Sequence, residues 1–218
     1  MENKLGNEKS LIISYLTLRK IIGILGIALP FVLYLGALII FQINIQSSIS
    51  SYYYTGMRGV FIGTLFVIGF FLLSYKGHDT IDTIAGRFGC VFALGVALFP
   101  TTPDSAASSH ARLIGYVHLA FATLFFLTLI FFSLYLFTKT HKDRLPTKRK
   151  LQRNKVYKGC GHTMCICILL IVVYSILPSE RALLLKEYNP VFWLEAIAVV
   201  AFGISWLTKG EAILCDKV

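Results

Sequence analysis

The stretch IIGILGIALPFVLYLGALIIF, residues 21–41, contains no charged side chain. An α-helix of about 20 apolar residues spans the hydrocarbon core of a bilayer, which is roughly 30 Å thick. This stretch therefore predicts a transmembrane helix and decides the fold class. It follows a mostly polar leader and has no small-residue cleavage site behind it, so we do not expect a removable signal peptide.

Five further apolar runs follow this one, separated by short polar breaks. Together the six runs lie at residues 21–41, 59–74, 84–99, 113–137, 160–177 and 191–207. Hydrophobic residues form 56% of the 218-residue chain and charged residues only 15%, whereas soluble domains contain about 25% charged residues. The third run is the weakest because it contains Arg87, but an arginine near a helix end can snorkel to the membrane surface. We therefore expect an all-α, polytopic integral membrane protein in which a six-transmembrane-helix bundle forms one domain over residues 1–218.

The net charge of +10 is unevenly distributed along the chain. Nine basic side chains lie in a polar segment at residues 138–159: Lys139, Lys142, Arg144, Lys148, Arg149, Lys150, Arg153, Lys155 and Lys158. Cytoplasmic loops of membrane proteins are enriched in Lys and Arg, so we place this basic segment in the cytoplasm. Both termini then lie in the cytoplasm too, with 17 basic residues on that side and four on the other. This pattern predicts a multi-pass protein of the cell (inner) membrane.

Membrane lipids are the expected partners, because anionic headgroups attract a basic segment such as residues 139–158. Nucleic acid is not an expected partner, since this segment lacks interleaved aromatic residues and any recognised binding module. The sequence contains no Walker A, HExxH, nucleophile-elbow or dinucleotide-binding pattern. The five cysteines form no CxxC pair, so we expect neither a disulfide framework, nor a metal site, nor a cofactor.

Two ionisable side chains within the apolar runs are candidate site residues, because charge inside a membrane is costly. His118 lies five residues into the fourth run, and Glu195 lies five residues after Pro190. Each is then about 8 Å from the non-cytoplasmic end of its helix. The similar depth makes a hydrogen-bonded pair possible. Arg58 and Arg112, at neighbouring helix ends, are alternative partners for Glu195.

The loops beside these residues are polar. The first, SSISSYYYTGMRGVF at residues 47–61, offers Tyr52 and Tyr53, and the loop before the fourth run offers Asp104 and His110. Adjacent residues of a helix point about 100° apart, so at least one of the three tyrosines at 52–54 should face the protein.

Two interpretations of this region stay open. In the first, the loops form the rim of a site for a lipid headgroup or small polar ligand, bound by Tyr52, Tyr53, Arg58, His110, Arg112, His118 and Glu195. In the second, the tyrosines belong to an interfacial aromatic belt, and Glu195 bonds to Arg58 or His118 only to fix the helix packing.

A second polar cluster lies between the second and third runs, on the cytoplasmic side: His78, Asp79, Asp82 and Arg87. Asp82 precedes the third run and is suited to cap its helix, with Thr80 or Thr83 as alternatives. A metal site would need more ligands at fixed spacing, so we expect a structural role.

Three parts of the chain carry a family resemblance: SSISSYYYTGMRGVFIG at 47–63, YKGHDTIDTIAG at 75–86 with ALFPT at 97–101, and WLEAIAVVAFGISWLTKG at 193–210. With its six predicted spans, the chain resembles the bacterial membrane proteins that carry the domain of unknown function 998. More distantly, it is similar to the Frag1/DRAM/Sfk1 group. The resemblance implies an integral membrane protein of unsettled activity, tied to lipids, and it carries over no catalytic residue.

The first functional expectation is a non-enzymatic membrane protein that binds a lipid headgroup or small polar ligand at its outer face. One alternative is a membrane-embedded lipid hydrolase or transferase with His118 as general acid or base, oriented by Glu195 or Asp104. It requires these side chains within hydrogen-bond reach of one another. Another alternative is a small proton-coupled transporter in which Glu195 and His118 relay the proton. Whether the protein is an enzyme stays open.

Overall fold

A computed structural model describes residues 2–75, 77, 79–104, 107–140 and 146–215, with side chains from residue 15 onward except that of Ser179. Every regular element in these ranges is helical, which confirms the all-α prediction. The α-helices are α1 (Glu2–Phe41), α2 (Arg58–Leu73), α3 (Thr80–Leu98), α4 (Ser109–Phe131), α5 (Lys148–Ser175), α6 (Ser179–Lys186) and α7 (Pro190–Lys209). A 3-10 turn (Ser50–Tyr54) precedes α2, and a π-helical segment (Phe132–Leu136) continues α4.

Five of the helices in the described ranges are long and apolar enough to cross a membrane. These candidate spans are Tyr15–Phe41, Thr80–Leu98, Ser109–Leu136, Lys148–Ser175 and Pro190–Lys209. The helix at the predicted second span, α2, is apolar but has only 16 residues. The chain therefore has the architecture of a multi-pass α-helical membrane protein.

Two helices begin well before the apolar runs that predicted them. The first starts at Glu2 rather than at residue 21, and α5 starts at Lys148, inside the predicted basic loop 138–159. Thr147 caps α5, because its hydroxyl accepts a hydrogen bond from the Lys150 amide at 3.1 Å. Lys and Arg are good helix formers, so residues 148–159 are the first turns of a helix rather than a loop. Residues 141–145 of the basic segment lie outside the described ranges.

The six longer helices pack as a closed ring. Contacts join α1 to α2, α2 to α3, α3 to α4, α4 to α5, α5 to α7 and α7 back to α1. Connections alternate between two ends of the ring. The serine–tyrosine end comprises the described residues of 42–57, 99–108 and 176–189, and the basic end comprises those of 15–20, 74–79, 137–150 and 209–215.

The closure of the ring depends on a close approach of α1 and α7. A Cβ atom added to Gly23 would lie 2.7 Å from the carbonyl oxygen of Gly203, and one added to Gly203 would lie 2.6 Å from that of Gly23. Both distances are shorter than a van der Waals contact, so the two glycines face each other across the helix crossing. In lipid, the burial of apolar surface does not by itself bring helices together. Small residues at a crossing let the two backbones approach closely enough for dispersion contacts to do so.

An aromatic core fills the basic end. The fully buried Trp206 ring lies 5.1 Å from Phe137, 5.4 Å from Tyr75 and 5.5 Å from Phe132. Burial raises the pKa of Tyr75 to about 12, so this side chain is neutral at physiological pH.

The predicted helix cap near Asp82 is formed by two aspartates together. Asp79 is the N-cap residue of α3, and the Asp82 carboxylate accepts a hydrogen bond from the Asp79 amide at 2.9 Å in a capping box. Lys139 lies 3.1 Å from the Asp79 carboxylate and 3.7 Å from that of Asp82. These contacts make the cluster structural, while His78 lies outside the described residues.

Candidate functional site

The first loop folds over the serine–tyrosine end of the ring. Tyr52 is fully buried, and its ring centroid lies 6.1 Å from that of Phe192. Tyr54 is half exposed. The prediction that at least one of these tyrosines faces the protein is confirmed. Burial raises the pKa of Tyr52, so its hydroxyl is un-ionised at neutral pH.

Glu195 ties this loop to α7. Its carboxylate accepts a hydrogen bond from the Ile49 amide at 2.6 Å, at the start of the 3-10 turn. In return, the Phe192 amide in the first turn of α7 donates to the Ser47 carbonyl at 3.0 Å. The first amides of a helix have no partner within that helix. Here α7 supplies an acceptor for the amide at the start of the 3-10 turn, and the loop supplies an acceptor for the amide at the start of α7. The bond to the carboxylate is charge-assisted when Glu195 is ionised.

Asp104 belongs to a hydroxyl network that joins two loops. The Ser47 hydroxyl donates to the Asp104 carboxylate at 2.8 Å. Ser51 lies within hydrogen-bond distance of both Ser47, at 2.9 Å, and Ser48, at 2.8 Å. Further along, the Tyr54 hydroxyl donates to the Thr101 carbonyl at 2.5 Å. Asp104 is therefore a loop anchor in this structure.

His118 bonds to a helix end and not to Glu195, the partner that the sequence made possible. The side chain is buried, and its Nδ1 lies 2.7 Å from the carbonyl oxygen of Phe99, the C-cap residue of α3. A carbonyl only accepts, so Nδ1 carries the proton in this contact. His118 and Glu195 therefore each serve a different backbone group.

The outer arginines do not reach Glu195 either. Arg58 donates to the Tyr53 hydroxyl at 2.5 Å, and its guanidinium lies 4.1 Å from the centroid of the same ring. This contact is a cation–π interaction between the first residue of α2 and the preceding 3-10 turn, so Arg58 partners Tyr53 and not Glu195, the alternative that the sequence left open. His110 and Arg112 are exposed in the first turn of α4.

A lateral groove opens on the side of the ring, where sequence reasoning placed no site. Its volume is about 740 Å³, and it lies between α1, α5 and α7. The walls are Pro30, Phe31, Tyr34, Leu35, Val156, Gly159, Cys160, Thr163, Phe192, Trp193, Ala196, Ile197, Val200, Ala201 and Ile204. None of the predicted outer-face ligand residues lines this groove.

The sequence contained a signal for the groove. Phe192, Ala196, Val200 and Ile204 recur at intervals of four residues, which places them on one face of α7. Phe192 and Ile204, at the two ends of this stripe, have large side chains, and Ala196 between them has a small one. This difference in size favours a depression along that face of α7. A single sequence does not show that α1 and α5 flank it, and the stripe alone does not distinguish a groove from a packed interface.

Comparison with known protein families, with curated proteins and with solved structures finds no match to this chain. The resemblance to the family with the domain of unknown function 998 therefore stays a prediction. Among the described residues, no three His, Cys, Asp or Glu side chains come together in a metal-binding arrangement.

Proposed function

We propose that this protein binds a membrane lipid, whose acyl chain lies in the lateral groove between α1, α5 and α7. The observation that carries the proposal is a groove of about 740 Å³ with almost wholly apolar walls, open on the flank of an apolar helix ring. Ligand sites typically enclose about 300–1,000 Å³. A groove on this flank faces the bilayer, where acyl chains are the abundant apolar molecules.

The dimensions of the groove fit an acyl chain. Its residues on α7 run from Phe192 to Ile204, a rise of about 18 Å. This length is more than half of the hydrocarbon core, which is roughly 30 Å thick. At the serine–tyrosine end, Tyr34, Phe192 and the half-exposed Trp193 line the groove, and such aromatic side chains favour the membrane interface.

The proposal includes six membrane crossings with both termini in the cytoplasm of a cell with an inner membrane. The two ends of α2 support a crossing for this short helix. Arg58 contacts Tyr53 at the serine–tyrosine end, whereas the Ser74 carbonyl accepts from the Tyr15 hydroxyl at 3.0 Å at the basic end. The concentration of Lys and Arg at the basic end supports its cytoplasmic location.

The hydrolase and transporter alternatives receive no support from the site. A hydrolase using His118 would need that ring near Glu195 or Asp104. His118, Glu195 and Asp104 instead hold a helix end, a 3-10 turn and a serine hydroxyl. A binding function needs none of these three groups to be free.

Native mass spectrometry of the detergent-purified protein tests the proposal. Gly159 lines the groove on α5, and nothing lies within 4 Å of a Cβ atom added there. A phenylalanine at this position should fill the groove without a backbone clash. We expect Gly159→Phe to lower lipid occupancy about tenfold, since displacing two buried methylenes costs about 1.6 kcal/mol.

The matched control is Gly63→Phe on α2, where an added Cβ also meets nothing within 4 Å. This variant should retain lipid at the wild-type level. Equal lipid occupancy in Gly159→Phe and wild type, at unchanged thermal stability, would contradict the proposed function.

A further inference from the structure

Four cations gather at the basic end of the three helices that form the groove. This basic cluster consists of Arg19 on α1, Lys150 and Arg153 on α5, and Lys209 on α7, and the ammonium groups of Lys150 and Lys209 both contact Phe137. All four side chains are partly buried. Cations of one sign that share a partly buried site repel one another, so this arrangement favours an anion between them.

Two members of the cluster have partners of their own. Arg153 lies 3.3 Å from the Glu211 carboxylate, and Lys150 donates to the Phe137 carbonyl at 2.7 Å. Among the described side chains, neither Arg19 nor Lys209 has a carboxylate partner. Their charged groups lie over aromatic rings instead, Arg19 at 5.5 Å from the Tyr75 centroid and Lys209 at 5.3 Å from that of Phe137.

The acidic side chains described near the cluster are held by other cations. Asp82 interacts with Lys209, but its closest described cation is Lys139 at 3.7 Å. Glu211 is paired with Arg153. Within the described part of the chain, Arg19 and Lys209 therefore have no carboxylate that pairs with them.

Unpaired hydrogen-bond donors lie at the same place. Four buried side-chain polar atoms of the described residues have no hydrogen-bond partner, and three of them are at the basic end: Arg19 Nε, Trp206 Nε1 and Asn154 Oδ1. Arg19 and Trp206 both contact the Tyr75 ring. Buried polar atoms are paired in the great majority of cases. Because two of these atoms only donate, they favour a ligand that accepts hydrogen bonds.

The basic cluster lies beyond the end of the lateral groove that is farther from the serine–tyrosine loops. Arg153 precedes the groove residue Val156 by three positions, and Lys209 follows the groove residue Ile204 by five. These intervals rise about 4.5 Å and 8 Å along their helices. A phosphate ester attached to a chain in the groove would have to extend by about this distance to meet the cluster.

From these observations we infer that the bound lipid is an anionic phospholipid whose phosphate is held by Arg19 and Lys209, flanked by Lys150 and Arg153. The inference rests on the proposed binding of an acyl chain in the groove. Guanidinium and ammonium groups both bind phosphate oxygens through charge-assisted hydrogen bonds. A purely structural role is the competing explanation, because cations are stabilised at the C-terminal ends of helices such as α7.

The test measures binding of two lipids with identical acyl chains, phosphatidylglycerol and diacylglycerol, to the purified full-length protein by native mass spectrometry. Only the first carries a phosphate. Wild type should bind phosphatidylglycerol about tenfold more tightly than diacylglycerol. Arg19→Gln and Lys209→Gln should each reduce that preference about fivefold, as expected for loss of one cation near a lipid phosphate. Diacylglycerol binding should not change.

Two variants serve as controls, with thermal unfolding as the check on folding. Lys209→Arg keeps the charge and should keep the preference. Lys155→Gln removes an exposed lysine from the same helix as Lys150 and should have no effect. Loss of preference in Lys155→Gln to the same degree as in Lys209→Gln would overturn the assignment to this cluster.

The remaining outcomes separate the headgroup from the groove. Equal wild-type binding of both lipids would overturn the phosphate inference, while lowered binding of both in Gly159→Phe would leave the proposed function intact. No effect of Gly159→Phe on either lipid would instead contradict the proposed function. If millimolar inorganic phosphate displaces phosphatidylglycerol, the cluster binds free phosphate rather than a lipid headgroup, and the inference is overturned.

Discussion

Glu195 and His118 show how a buried ionisable residue can serve the backbone rather than a reaction. The Glu195 carboxylate meets the Ile49 amide at the start of a 3-10 turn, and His118 meets the Phe99 carbonyl at the end of α3. Helix ends leave amides and carbonyls without partners, and burying such groups unpaired is costly. Both side chains lie at the depth where those unpaired groups occur.

Replacing Glu195 with alanine should loosen the first loop from α7. We expect a loss of about 1–3 kcal/mol of unfolding free energy, because the buried Ile49 amide would lose its acceptor. Thermal unfolding in detergent measures the effect. Glu195→Gln retains an acceptor oxygen and should lose less, and Glu187→Ala, at an exposed position nearby, should be neutral. Unchanged stability of Glu195→Ala would show that this tether is not needed.

Replacing His118 distinguishes a structural from a catalytic histidine. His118→Ala should lower the unfolding free energy by about 1–3 kcal/mol, since the buried Phe99 carbonyl would lose its donor. His118→Asn should recover part of the loss through its amide donor. His110→Ala, on an exposed position of α4, is the control. A His118→Ala protein as stable as wild type would contradict the capping role.

At the scale of helices, the crossing of α1 and α7 closes the ring and shapes one wall of the groove. Gly23 and Gly203 permit this crossing because each backbone occupies the space that the other residue's side chain would need. Ring closure and groove therefore depend on the same pair of glycines.

Gly203→Ala should separate the two helices. Such overpacking typically costs about 1–3 kcal/mol, and here the atom in the way is a backbone oxygen at 2.6 Å. Gly63→Ala is the control, because an added Cβ there has no neighbour within 4 Å, and it should be neutral or slightly stabilising. The midpoint of thermal unfolding compares them. Equal midpoints for the two variants would contradict the close crossing.

The apolar runs predicted the positions of the six longer helices because hydrophobic length is a local property of the chain. They did not predict where α5 begins, since the Thr147 cap and the basic turns after it lie outside any apolar run. They also did not predict the partners of Glu195 and His118. Those partners are backbone groups of distant segments, and their location depends on how the loops fold over the ring.

At the scale of the whole molecule, the two ends of the ring differ in charge and in polar side chains. Serine and tyrosine hydroxyls dominate one end, and lysines and arginines dominate the other. This asymmetry supports one orientation in the membrane.

Cysteine labelling checks that orientation. In a Cys215→Ser background, Arg112→Cys should react with a membrane-impermeant maleimide in intact cells, and Lys155→Cys should react only after permeabilisation. Both positions are exposed in the structure. Labelling of both, or only of Lys155→Cys, in intact cells would contradict the proposed topology.

The shortness of α2 has a consequence for the surrounding bilayer. Its 16 residues rise about 24 Å, less than the hydrocarbon thickness of about 30 Å. The continuous helical stretch Ser109–Leu136 has 28 residues and rises about 40 Å. When both α2 and the stretch Ser109–Leu136 cross the bilayer, the hydrophobic thickness of the protein differs around its circumference. The lipids beside α2 must then shorten or tilt to match the shorter helix. Short-chain lipids should therefore gather on that flank.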